Sequence, residues 1–220
     1  VEYWEHQFGQ DYEIGEITRE NSQKIERISA GLTGGVVLDN GCGDGRFKRF
    51  FESKGWNVYG TDISKNAIIR ASKITPVNLL VAASEELPFK NNFFDVIFSW
   101  RVLHSLPKKE RVESVRECDR VLKKGGCLIC SVQSVDDEHT RSKYRDSGEE
   151  VKDDKETYLS DMQVGDKIVQ RLKHFYSKDE LIKEVENNSH LKVVDIVTYS
   201  EKSGWNSDLQ QYWVIKAIKQ

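Results

Sequence analysis

The sequence predicts an α/β fold in which a mostly parallel sheet carries helices on both faces. Short β-branched runs alternate along the chain with segments of helical periodicity, as in successive strand–helix–strand units. A glycine-rich loop joins the first strand to the helix that follows it. The run from Asn92 to Trp100 is almost wholly apolar, as expected for a central parallel strand that is covered on both faces.

Composition narrows the class of protein. At 220 residues we expect a single domain over residues 1–220. The formal net charge of −3 gives no electrostatic support to a nucleic-acid partner. No apolar run approaches the length of a membrane span, so we expect no membrane partner. Four scattered cysteines predict a reduced, cytoplasmic protein.

The elements follow from the pattern in chain order. Apolar positions at helical spacing predict helices over residues 17–32, 46–55, 65–74 and 109–122, and Ser177 with Glu180 forms a capping box for a later helix. Seven runs are predicted strands: 36–40, 57–62, 77–82, 92–100, 127–132, 192–200 and 212–219. We expect the last two to form a closing hairpin with an antiparallel final strand.

The glycine loop excludes two kinds of nucleotide site. Gly41, Gly43 and Gly45 stand at alternate positions, whereas a dinucleotide fingerprint would need a glycine where Arg46 stands. The loop also lacks the Gly-Lys-Ser/Thr ending of a phosphate loop. Asp39 would repel a pyrophosphate but would hold a cation or an amine. The loop therefore suits a ligand that has a positive end and no phosphates.

The run Val-Leu-Asp-x-Gly-Cys-Gly-x-Gly resembles the first motif of the class I S-adenosylmethionine-dependent methyltransferases. The resemblance covers residues 36–132 and includes a Leu-Pro-Phe loop and a Leu-Lys-Lys-Gly-Gly turn. It implies a Rossmann-like, seven-stranded methyltransferase fold with S-adenosylmethionine as the cofactor. It also implies that an N-terminal arm, residues 1–16, can cover the cofactor, and that a lid or substrate insert spans residues 133–176.

Asp62 ends the second predicted strand, where a ribose-binding carboxylate is expected. The carboxyl end of this strand lies beside the glycine loop, and a carboxylate can accept hydrogen bonds from both ribose hydroxyls. The competing interpretation is that Asp62 only begins a helix, since Ser64 follows it. In the ribose interpretation Ile63 lies against the adenine.

The resemblance supplies the rest of the cofactor site. Ala83 stands where the family often has an aspartate, so the adenine contact falls to Ser84 or to the backbone of Ser84 and Glu85. The end of the fourth strand should approach the methionine end of the cofactor. The predicted cofactor residues are Asp39, Gly41, Cys42, Gly43, Gly45, Asp62, Ile63, Ser84, Glu85, Ser99, Trp100 and Arg101.

Catalytic residues are harder to assign, because an aligned thiol, amine or acidic hydroxyl needs no dedicated base. The weak candidates are His104, His174 and Tyr12, although each of these residue types more often serves in packing. Cys127 and Cys130 have C-x-x-C spacing, but residues three apart on a strand point to opposite faces. We therefore expect buried thiols and no metal site.

Residues 133–157 are charged and have few apolar anchors, which favours a solvated loop. The alternative is a substrate lid, since long loops in compact domains are often functional. His139, His174 and Tyr176 are candidates to line the acceptor site.

The predicted function is methyl transfer to a small-molecule acceptor. A tRNA or protein acceptor is the alternative within the same chemistry, and a non-catalytic S-adenosylmethionine-binding subunit is the alternative of another class. A nicotinamide dehydrogenase is disfavoured by Asp39 and Arg46. The chain lacks the Asn/Asp-Pro-Pro-Tyr motif of many amino-group methyltransferases and the Pro-Cys nucleophile of RNA cytosine-carbon methyltransferases.

Overall fold

The fold is a seven-stranded sheet with helices on both faces, as the sequence predicts. The computed structural model describes residues 1–10, 19–32, 35–202 and 209–220. The strands of the large sheet are β1 (Val36–Asn40), β2 (Asn57–Asp62), β3 (Leu79–Val81), β4 (Phe94–Trp100), β5 (Leu122–Gln133), β9 (Leu191–Lys202) and β10 (Leu209–Lys219). Their order is β3-β2-β1-β4-β5-β10-β9, with β10 antiparallel to both of its neighbours and the first five strands parallel.

Helices pack on the sheet through two apolar clusters, one on each face. The described helices are α1 (Glu2–Gly9), α2 (Arg19–Ile28), α3 (Arg46–Ser53), α4 (Lys65–Ser72), α5 (Lys108–Val121), α6 (Glu138–Ser147) and α7 (Lys178–Asn187), with a short 3₁₀ helix at Leu103–Ser105. The clusters alternate along each strand because successive side chains point to opposite faces. In β4, Ile97 belongs to one cluster and Phe98 to the other. No described helix is long and apolar enough to cross a membrane.

Strand β1 lies at the centre of the site's geometry. It pairs in parallel with β2 on one side and with β4 on the other, so the strand order reverses beside it. Ligands of open α/β sheets bind outside the carboxyl ends of the strands at such a reversal. The glycine loop follows β1 at this point.

The charged segment after β5 is folded, so the expectation of a solvated loop was wrong. It forms α6 and a three-stranded antiparallel sheet of β6 (Gly148–Glu150), β7 (Thr157–Val164) and β8 (Lys167–His174). Two ion pairs explain the order. The buried Arg111 of α5 binds Asp154 through Nη2 and Oδ1 at 2.7 Å, and Arg141 binds Glu156 at 2.8 Å. Charges that look solvated in the sequence are thus paired inside the fold.

Other boundaries differ by a few residues. β1 and β2 have the predicted bounds, whereas β3 is shorter than predicted and β5 begins five residues earlier than predicted, at Leu122. The predicted cap is present, since Ser177 Oγ accepts the Glu180 N–H at 3.2 Å. The Glu180 carboxylate lies 3.2 Å from His174 Nε2.

Candidate functional site

The glycine loop is fastened to β2 by its own backbone. The N–H groups of Gly41 and Cys42 both donate to the Thr61 carbonyl at 2.8 Å. Gly41 has a φ of +73°, and a Cβ there would overlap Val102 beyond the end of β4. A glycine is required here because the backbone is left-handed and the neighbouring chain is close. The loop therefore spans the crevice between β1 and β4.

Asp39 is an unsatisfied acid beneath this loop. It is 1 % exposed, and neither carboxylate oxygen makes a hydrogen bond within the described part of the chain. Burial raises the pKa of Asp39 from 3.8 to about 8; the backbone N–H and the ammonium of Lys48 oppose the rise, and the charges of Asp62 and Asp44 add to it. A buried charge without a partner is costly, so this side chain is suited to receive a cation.

Asp62 organises the other side of the loop. Its Oδ2 accepts the Gly43 N–H at 2.9 Å, and its Oδ1 accepts the Ser64 N–H at 2.9 Å. Each oxygen keeps capacity for a further hydrogen bond. Burial raises the pKa of Asp62 to about 6, with the two backbone donors opposing the rise. Asp62 thus both starts α4, as the competing interpretation held, and presents a carboxylate beside the glycine loop.

Helix α1 covers the loop. A Cβ on Gly43, whose φ is +54°, would lie 3.1 Å from Phe8 Cζ. Phe8 stacks on Trp4 with ring centroids 6.2 Å apart. Glu5 fastens the helix by accepting the N–H groups of Lys65 and Asn66 at the start of α4, at 2.7 and 3.2 Å. Helix α1 thus packs over the glycine loop, whereas the covering of a cofactor by residues 1–16 stays a prediction, and residues 11–16 lie outside the described residues.

In the loop after β3, the Ser84 hydroxyl already forms hydrogen bonds within the protein. Ser84 Oγ accepts from Asn40 Nδ2 at 2.7 Å and also bonds Ser114 Oγ. Of the two predicted routes to adenine, the side chain of Ser84 is therefore disfavoured and the backbone of Ser84 and Glu85 remains. Glu85 itself is half-buried, and its Oε2 has no partner among the described residues.

At the end of β4 the three predicted residues have different environments. Trp100 lies in the core, where it stacks on Phe98 at 5.0 Å and meets Tyr199 edge-on, so its indole is committed to packing. Ser99 points to the opposite face and its buried hydroxyl has no partner within the described chain. Arg101 leaves the strand with a φ of +64°, a strained backbone that clusters at functional sites, and lies over the Tyr212 ring.

The candidate bases fit structural roles. His104 is buried, and its Nδ1 accepts the Gln133 N–H at 3.2 Å, which leaves the other ring nitrogen as the proton carrier. Burial and nearby cations hold the pKa of His104 well below 6.5. His174 is fully buried, with Nδ1 bonded to Thr157 Oγ1 at 2.7 Å and its ring edge-on to Tyr176.

The other candidates give no base either. Tyr176 is buried and donates to Glu184 at 2.6 Å. His139 is exposed on α6, and Tyr12 lies outside the described residues. All four cysteines are buried free thiols, including Cys42 of the loop, and burial raises the pKa of each.

Sequence reasoning missed Glu5 and Lys173. Glu5 accepts a hydrogen bond from the start of α4, about sixty residues further along the chain, and no local sequence pattern predicts that contact. Lys173 is 2 % exposed at the end of β8, where its Nζ donates to Gln133 Oε1 at 3.0 Å. No local pattern marks Lys173 as buried, since its neighbours are the apolar Leu172 and the polar His174 and a lysine is seldom buried.

Comparisons with known proteins agree with this geometry. A family model described as "Methyltransferase domain" matches residues 38–130. The chain is 33% identical over 109 residues to a tRNA (carboxymethyluridine(34)-5-O)-methyltransferase of Arabidopsis thaliana, over 49% of this chain and 26% of the relative. It is 32% identical over 96 residues to a malonyl-[acyl-carrier protein] O-methyltransferase of Buchnera aphidicola, over 43% of this chain and 38% of the relative.

Among solved structures, a SAM-dependent methyltransferase from Methanosarcina mazei superposes with a TM-score of 0.76 at 21% identity, over 93% of this chain and 99% of the other. The chain spans less than half the length of the two curated relatives above. The sheet order and the glycine loop agree with the match to a methyltransferase domain over residues 38–130, and the whole chain has the fold of the solved SAM-dependent methyltransferase.

Proposed function

We propose that this protein transfers a methyl group from S-adenosylmethionine to a small-molecule acceptor by in-line displacement. The observation that carries the proposal is the buried carboxylate of Asp39, which has no hydrogen-bond partner in the described chain and lies beneath the glycine loop. A methionine end supplies the cation that such a group lacks. A phosphate-bearing cofactor would instead place negative charge beside it.

The residues present fit this cofactor at two further points. Asp62 has free acceptor capacity for the two ribose hydroxyls, and Ile63 follows it where an adenine face would lie. Gly43 has no side chain, so its backbone can be approached closely where a Cβ would lie 3.1 Å from Phe8 Cζ. We also assign Ser99 and Arg101 to the methionine end, and Glu85 with the Ser84 backbone to the adenine.

When bound, S-adenosylmethionine supplies a methyl group on a positively charged sulfur that leaves as a neutral thioether. The chain has to hold the two reactants in line and keep water out. Well-oriented reactions reach effective molarities of about 10⁵–10⁸ M, so alignment alone supplies much of the rate. Trp4 and Phe8 cover the loop with apolar surface, and a dry site favours a reaction that neutralises charge. His104 and His174 are committed to other contacts, so no dedicated base is assigned.

Calorimetric titration with S-adenosylmethionine, S-adenosylhomocysteine and NAD tests the proposal. We expect micromolar binding of the first two and none of NAD. Binding of NAD alone would overturn the assignment. Binding of S-adenosylmethionine without turnover on any acceptor would favour the non-catalytic subunit.

A tRNA acceptor is the second candidate, because several relatives are named as tRNA methyltransferases. The net charge of −3 and the covered glycine loop favour the small molecule. Incubation with labelled S-adenosylmethionine and either total tRNA or a small-metabolite extract separates the two. Label in the tRNA alone would replace the first candidate with the second.

The four buried free thiols support the predicted cytoplasmic location.

A further inference from the structure

A cluster of cations lies across helix α1 from the glycine loop. Arg171 and Lys173 are two residues apart on β8 and therefore point to the same face. Lys173 Nζ lies 5.3 Å from the centre of the Tyr144 ring. The Arg171 guanidinium lies 4.9 Å from the Tyr3 ring and 5.6 Å from the Trp4 ring. Trp4 in turn stacks on Phe8, which covers Gly43, so aromatic rings connect the cluster to the cofactor loop.

The positive charge of this cluster is not neutralised. Neither Arg171 nor Lys173 forms an ion pair with any described residue. The acid that acts on Lys173 is Asp137, but it already accepts from Gln133 Nε2 at 2.6 Å and from the Gln211 N–H at 3.0 Å. Burial lowers the pKa of Lys173 well below 10.5, and Arg171 and Arg101 lower it further.

Two more donors at the cluster lack a well-aligned partner. The Tyr144 hydroxyl and Arg171 Nε are buried, and neither atom has a hydrogen bond of good geometry within the described chain. The Arg171 guanidinium nevertheless lies close enough to the Tyr144 hydroxyl to interact with it. Each buried donor without a partner costs free energy comparable to a lost hydrogen bond. A group that accepts from several donors and carries negative charge would satisfy all of them at once.

We propose, resting on the function above, that the methyl acceptor is a small carboxylic acid whose carboxylate docks between Lys173, Arg171 and Tyr144. A carboxylate has two oxygens with about four acceptor positions, which matches these side-chain donors. The arginine presents a planar fork suited to this geometry. The aromatic rings of Tyr3 and Trp4 would face the body of the acid. The anchored end lies away from the glycine loop, so another part of the molecule reaches the methyl group.

The test is titration of the protein saturated with S-adenosylhomocysteine, using phenylacetate, phenylacetamide and phenyl phosphate as probes. The wild type should bind phenylacetate at least tenfold more tightly than the neutral amide. Equal binding of acid and amide would overturn the proposal. Preference for phenyl phosphate over phenylacetate would overturn the choice of carboxylate.

Variants locate the binding site. Lys173→Met should lose at least tenfold in phenylacetate affinity, and Tyr144→Phe, which removes a buried hydroxyl, should lose about threefold to tenfold. Lys152→Met on the exposed part of the same insert is the matched control and should bind as the wild type does. Unchanged affinity in Tyr144→Phe and Lys173→Met would refute the site. Binding of S-adenosylhomocysteine is measured first, so its absence in the wild type would refute the proposed function instead.

Discussion

Replacement of Asp39 by asparagine should stabilise the ligand-free protein while it weakens cofactor binding. The folded chain holds this carboxyl at a pKa of about 8, whereas its ordinary value is 3.8. Between these two values the folded state keeps a proton that the unfolded state has released. The free energy of unfolding of the wild type therefore falls as pH rises from about 4 to 8.

The expected size of the effect follows from the same shift. About three pKa units separate 3.8 from pH 7, and each unit corresponds to ~1.4 kcal/mol, so Asp39→Asn should gain up to about 4 kcal/mol at pH 7. At pH 5 only about one unit applies, and the gain should be under ~2 kcal/mol. Urea unfolding at the two pH values measures both. Most substitutions destabilise, so a gain of this size has a specific cause.

The control and the refuting results are equally specific. Asp95→Asn should have the opposite sign, because the ion pair with Lys123 holds the pKa of Asp95 below 3.8 despite the opposing effect of burial. Affinity of Asp39→Asn for S-adenosylhomocysteine should fall more than tenfold, since the ammonium loses its charged partner. A gain in stability that does not depend on pH, or unchanged affinity, would refute the reasoning about Asp39.

Three further predictions test the site and the insert. Asp62→Ala should weaken S-adenosylhomocysteine binding more than tenfold, and wild-type affinity should fall as pH drops below about 6, where this carboxylate becomes protonated; calorimetry at pH 5 and 7.5 measures both. Gly43→Val should abolish binding, because the side chain would meet Phe8 and the residue has positive φ; normal binding would remove the loop from the cofactor site. Asp154→Ala should cost about 1.5–3 kcal/mol of unfolding free energy, because the buried Arg111 loses its bidentate partner and keeps only the Glu184 carboxylate at 3.5 Å, and a loss below 1 kcal/mol in urea unfolding would show that the pair does not hold the insert.

The central sheet could be predicted because its signals are local. Val36–Asn40 opens with three apolar residues and Asn57–Asp62 contains Val58 and Tyr59, and both strands have the predicted bounds. Asp39 and Asp62 follow from their position at strand ends beside the glycine loop. The alternation of strands and helices predicts a parallel sheet, the handed crossover of such units fixes where the carboxyl ends meet, and the resemblance to the methyltransferase family implied the seven-stranded plan.

The rest depends on contacts between distant residues. Order in the charged insert comes from Asp154 meeting Arg111 across 43 residues, and no window of the sequence contains both. The Ser84 hydroxyl likewise accepts a hydrogen bond from Asn40, which lies 44 residues earlier in the chain. Composition predicts solvation of charged residues only when partners are absent. A local sequence pattern therefore cannot predict these contacts, because it does not contain the distant partner residues that the fold brings together.

Two buried ionisable groups of opposite sign, Asp39 and Lys173, lack an ion-pair partner among the described residues, and burial shifts the pKa of each toward its neutral form. Asp39 lies beneath the glycine loop and lacks a cation, whereas Lys173 lies across α1 and lacks an anion. Each is costly in the ligand-free protein, and neither is explained by packing. A single buried ionisable group without a partner could be a cost that the fold tolerates without any function. In the two proposals above, Asp39 receives the positively charged cofactor and Lys173 a negatively charged acceptor on the other side of the aromatic helix, and the attraction between these two ligands would favour their binding together.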